Sequence, residues 1–187
     1  MYVLDATPLI YLATTDRLEL LADLPESCVL PQAVYEEVVT EGVSAGHADA
    51  RRVQRAVEDG WLTVVSVEET SPESETPVEN SNMSETAIEF VDRLTQNDRL
   101  SRADAEVLAV ATSRDATAVM DEAYGRAIAD AEGIPTRGTA YLVLEALRGG
   151  TIDAEEARDV VDAMVDAGWY CAPDLYAAIL RRIDDLA

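Results

Sequence analysis

Short apolar runs alternate with helical stretches along the chain, and that alternation limits the fold more than any other feature. Tyr2-Val3-Leu4, Cys28-Val29-Leu30, Trp61 to Val65 and Ala116 to Met120 read as strands. Ile134-Pro135-Thr136 reads as a short edge strand, a place where proline is tolerated. Between them lie stretches of helical spacing: Leu9 to Leu24, split near Thr14 to Asp16, then Pro31 toward Gly42, Gly46 to Glu58, Thr86 to Leu94, Asp104 to Ala111 and Tyr124 to Glu132. Strands that alternate with helices argue for a parallel sheet covered on both faces. From Thr139 onward the pattern is helical, with breaks at Gly149-Gly150 and from Gly168 to Pro173. A chain of 187 residues fits one domain, 1–187, with C-terminal helices from about residue 139. Ser66 to Ser84, rich in Glu, Ser, Thr and Pro and poor in large apolar residues, is expected to be an acidic flexible insertion on that domain.

Charge sets the chemical surroundings. There are 37 acidic residues against 14 basic ones, all of them arginine, for a net −23. Such a chain repels itself at low ionic strength. In molar salt the Debye length shrinks to about 3 Å and the repulsion is screened, so a high-salt, halophilic cytoplasm is expected. An acidic surface is also a poor footprint for nucleic acid, although in molar salt phosphate contacts contribute little for any protein. No apolar run approaches the ~20 residues of a membrane helix, and the start lacks a basic leader, so a cytoplasmic protein with no membrane partner is expected. Cys28 and Cys171 lack CxxC partners and read as buried free thiols rather than a disulfide or a zinc site. Arg51, Arg52 and Arg55 form the densest basic cluster, either a substrate-facing patch or, more ordinarily, a solvated helix face.

Within the strand–helix frame, acidic residues recur at equivalent places. Asp5 follows the first strand, at the end where open parallel sheets bind ligands. Glu37 lies between Val34 and Val38 in helical angle, along the edge of a buried face, while Glu36 turns further toward solvent. Asp104 opens the apolar helix before the fourth strand, in a capping-box pattern with Ser101, and Asp121-Glu122 follow that strand. Each has a capping or dipole explanation on its own. Together they can converge on one end of the sheet, where their mutual repulsion implies a divalent cation. An all-oxygen set favours Mg²⁺ or Mn²⁺ over zinc.

The stretches DATPLIYLA, PQAVYEEVV, LSRADAEVLAVA, AVMDEAYGRAIADAEGIPTRG and YLVLEALRGGTI resemble the successive motifs of PIN-domain proteins, the superfamily that includes the VapC-type toxins. The resemblance spans roughly Met1 to Ile183 and is closest to small prokaryotic PIN-like proteins. It implies a three-layer α/β/α fold with a five-stranded parallel sheet in the order 3-2-1-4-5 and a metal-dependent ribonuclease site. Matched position by position, it implies Asp5, Glu37, Asp104 and Asp121 or Glu122 as catalytic carboxylates. Of these, Asp5, Glu37, Asp104 and Asp121 would be the metal ligands. Thr7 matches the hydroxyl residue that holds the first Asp, and Arg126 a basic residue of the related branch. Two motifs depart from the VapC pattern. Glu106-Val107-Leu108-Ala109 stands where a D-x-x-I-A-A core is usual, and Asp121-Glu122 where many relatives carry two Asp. Toxin activity, a small antitoxin partner and a homodimer are implied by the resemblance alone.

The expected function is therefore a Mg²⁺- or Mn²⁺-dependent endoribonuclease. The rival is an inactive PIN-like scaffold that serves as a protein-interaction or RNA-binding module. A Mg²⁺-dependent phosphatase on a similar sheet is weaker, because no lysine exists to hold the phosphate.

Overall fold

A computed structural model of the chain describes residues 1–68, 86–96 and 99–187. Most of the expected acidic insertion, from residue 69 on, lies outside the described residues. Five parallel strands form one sheet: β1 (Tyr2–Leu4), β2 (Cys28–Pro31), β3 (Thr63–Val65), β4 (Thr117–Val119) and β5 (Thr136–Arg137), in the order β3-β2-β1-β4-β5. The fold class is thus the one expected, including the strand order. In register, Val3 pairs with Val29 on one side and Ala118 on the other. Central strands of a covered parallel sheet bury both faces. Accordingly β1 and β2 are buried at every position, whereas the outer strand β3 is exposed at Thr63.

The first helix, α1 (Ala6–Thr14), starts three residues before Leu9, where the helical spacing begins. Pro8 falls in the first turn, whose amides have no intrahelical partner, so its missing N–H is tolerated there. A 3₁₀ turn at Leu18–Leu21 follows. After β2 the chain runs through α2 (Gln32–Tyr35), a π-helical stretch at Glu36–Glu41 and α3 (Gly42–Ser44), where sequence spacing suggested an ordinary helix. Next come α4 (Ala48–Glu58), α5 (Ala87–Thr95) and α6 (Arg102–Ser113). α6 lies against β1, β2 and β4 and is buried from Ala105 through Ala111, which explains its nearly unbroken apolar sequence. α1 packs with α4 and α9. The remaining helices are α7 (Ala123–Glu132), α8 (Thr139–Arg148), α9 (Ala154–Asp166) and α10 (Pro173–Leu186), the last three packing on one another. Gly133 ends α7 with φ +73°, the left-handed conformation that glycine adopts without strain.

Both cysteines are free thiols; Cys28 is buried and Cys171 only half-buried. The arginines of α4 are not one uniform face. Arg52 pairs with Asp16 at 3.0 Å and donates to the Ala13 carbonyl, while Arg51 and Arg55 are exposed. None of the described helices is long and apolar enough to cross a membrane.

Candidate active site

β1 delivers Asp5 at its carboxyl end, 5 % exposed, as the N-cap of α1. The Ala6 amide donates to Asp5 Oδ1 at 2.7 Å. The capping explanation therefore holds, and it does not exclude a second role. Burial above all, then the charges of Asp104, Glu37 and Asp121, push the Asp5 carboxyl up to about 7 against the favourable Ala6 bond. Four carboxylates from four elements thus share one electrostatic neighbourhood.

Glu37 comes from the π-helical stretch, with Val38 and Val39 buried beside it. It stands exposed at the rim, yet partial desolvation of its inner side, Asp104 and Glu41 raise its pKa. π-Turns occur frequently at functional sites. Asp104, half-buried, completes a capping box at the start of α6. Its Oδ2 accepts from the Ser101 hydroxyl at 2.7 Å and the Ser101 amide at 3.2 Å, and its own amide donates to Ser101 Oγ.

The two acids after β4 part company. Glu122 caps α7, accepting from the Gly125 amide at 2.6 Å. Asp121 is held by three donors: the Thr139 amide on Oδ1 at 2.8 Å, and the Thr139 hydroxyl and the Trp169 indole on Oδ2, each at 2.7 Å. Asp121 is the member that acts on Asp5. A Cβ on Gly138 would stand 2.8 Å from Asp121 Oδ1 and 3.2 Å from Arg126 Nη1, which places the Arg126 guanidinium beside this acid. Thr7 is half-buried on the first turn of α1, and the hydrogen bond that holds Asp5 comes from Ala6 instead.

Among the described residues, no three Asp, Glu, His or Cys side chains are close enough to form a ready-made cation cage. Mg²⁺ seldom uses such a cage. It keeps several waters and takes one or two carboxylates together with substrate phosphate oxygens. A hard, all-oxygen donor set whose charges raise the proton affinity of Asp5 fits such an ion, because a cation would take the place of that proton.

The model of a PIN-domain family matches residues 1–185. The chain belongs to that family. Comparison with curated proteins and with solved structures returned no match. PIN domains are commonly nucleases and generally use divalent metals. In this PIN domain, residues outside the expected set shape the site. Glu106, buried in α6, accepts from the Ala33 amide and from Arg102 Nε, each at 3.0 Å, and so ties α6 to the helix that leads into Glu37. Its acidic side chain, interrupting an apolar run, is the signal that marks it. Thr139 and Trp169 carry no comparable signal, since their partner lies 18 and 48 residues away.

Proposed function

We propose that this PIN domain is a metal-dependent endoribonuclease. The observation that carries the reading is the electrostatic coupling of Asp5 to Asp104, Glu37 and Asp121 across four elements at the carboxyl end of the sheet. Asp5, Glu37 and Asp104 would hold Mg²⁺ or Mn²⁺, with Asp121 serving a second ion or orienting the attacking water. When bound, such a cation neutralises the phosphodiester and acidifies a water nucleophile, so no histidine base is needed. The chain's own contribution is placement. Ala6 fixes the Asp5 carboxylate, Ser101 fixes Asp104, and Thr139 with Trp169 fixes Asp121, leaving Glu37 at the rim free to adjust. Arg126, beside Asp121, would meet a substrate phosphate.

The test is RNA cleavage in about 2 M KCl, where surface repulsion is screened, with Mn²⁺, Mg²⁺ or EDTA. Wild type is expected to cut single-stranded RNA only with metal, and Asp5→Asn to lower the rate by at least about a hundredfold. Cleavage that survives in EDTA or in Asp5→Asn refutes the assignment. A folded wild type that binds RNA or a partner protein and never cuts would establish the inactive-scaffold reading instead.

A further inference from the structure

Beside Asp121 lies a cavity of about 230 Å³. Its walls include Trp169, Tyr141 and Leu175, with Asp121 and Arg126 at its polar edge. The Trp169 indole is 5 % exposed and is pinned by its bond to Asp121, so one rigid aromatic side chain borders both the carboxylate site and the cavity. Arg137 stacks over the Tyr141 ring with its guanidinium 5.2 Å from the centroid. Neither Arg126 nor Arg137 makes an ion pair among the described residues, although the chain has far more acids than arginines. On the same loop as Trp169, Tyr170 is 87 % exposed, and Leu175 is 48 % exposed on the first turn of α10. Both are large side chains open to solvent.

From this we infer that the cavity receives a nucleobase of the single-stranded RNA next to the bond that is cut, with Arg126 and Arg137 on the flanking phosphates. The inference rests on the nuclease reading and adds to it the feature that captures substrate. Three observations favour a base. The space is below the roughly 300–1,000 Å³ of pockets for larger ligands, which suits one planar ring system. Aromatic and apolar walls next to arginines that make no ion pair among the described residues are the combination that binds unstacked bases and their backbone. A chain of net −23 gains less than a basic one from phosphates through counter-ion release, so apolar and stacking contact must carry more of the affinity for RNA.

The experiment uses the full chain carrying Trp61→Phe, which leaves Trp169 as the only indole. Its fluorescence is titrated in EDTA and molar KCl with an oligoribonucleotide of about eight nucleotides, and with the same strand made abasic. Quenching by the normal strand is expected, with binding to the abasic strand weaker by about tenfold or more. Leu175→Gln, a neutral change at an exposed position, should abolish that difference without altering the melting temperature. Tyr170→Ala should weaken the normal strand alone. Equal affinity for the two strands overturns the base pocket and leaves the nuclease reading standing. So does metal-dependent cleavage with no quench of Trp169. A wild type that neither binds nor cuts RNA overturns both.

Discussion

Asp5 has two duties that compete. As a helix cap it is best ionised, whereas buried among Asp104, Glu37 and Asp121 it is best protonated, and the second effect wins in the metal-free protein. The sign of the consequence follows from proton linkage. With an ordinary value of 3.8 and a folded value of about 7, the native state holds more protons than the unfolded chain between these limits. The stability Asp5 contributes is therefore complete below pH 3.8 and is lost as pH rises through 7. In EDTA, Asp5→Asn is expected to be more stable than wild type at pH 8 by about 2 kcal/mol or more, since a shift of one pKa unit corresponds to about 1.4 kcal/mol. The advantage should vanish near pH 4, the ordinary carboxylate value. Urea midpoints measured across that range check it, and an Asp5→Asn protein less stable at pH 8 would contradict it. Cys28 shows the same burial effect without acidic neighbours, opposed only by the N-terminal ammonium. Its thiol is pushed up to about 12, so it should resist alkylation at pH 8 until the protein unfolds, whereas half-buried Cys171 reacts first.

Elements matter here chiefly through their ends. α6 presents Asp104 at its start and, one half-turn on, uses Glu106 to hold the Ala33 amide in the first turn of α2. The helix that carries one site acid thereby orients the segment that carries another. Replacing Glu106 with Ala leaves the Ala33 amide without its buried acceptor, and a loss of about 1–3 kcal/mol is expected in urea unfolding. Glu106→Gln keeps a neutral acceptor and should recover part of the loss. Ser101→Ala removes the hydroxyl from the α6 cap and is expected to cost about 1 kcal/mol. It also frees the Asp104 carboxylate, so cleavage should fall further than stability alone accounts for. Cleavage that tracked the folded fraction would mean the cap serves the helix only. The π-helical stretch adds a register change that periodicity in the sequence does not reveal, because its buried Val38 and Val39 fit an ordinary helix equally well.

At the scale of the whole molecule, the chain carries 37 acidic residues against 14 basic ones, and among the described residues only Asp5, Glu106 and Glu145 of the acids are buried in an interior of ordinary apolar packing. Stability should then rise with salt, and we expect the melting temperature to climb between about 0.1 M and about 3 M KCl. A flat or falling profile, followed by circular dichroism, would remove the high-salt reading. The alternation of strand and helix was legible from end to end, and so was the position of each acid at a strand end or helix start. Strand runs, prolines and capping boxes act over three or four residues, which is the range a linear pattern records. Trp61-Leu62 stayed outside β3 and Ile134-Pro135 outside β5, since strand ends depend on which neighbour offers its backbone. By itself, then, the sequence determined a parallel α/β chain with acids spaced so that they can converge on one end of its sheet. Only the tertiary structure separated Asp121 from Glu122: Glu122 is occupied locally by Gly125, while Asp121 is seized by Thr139 and Trp169 from far along the chain. It also formed the cavity beside Trp169. Both depend on contacts between residues brought together by folding, and such contacts leave no periodic trace in the order of amino acids.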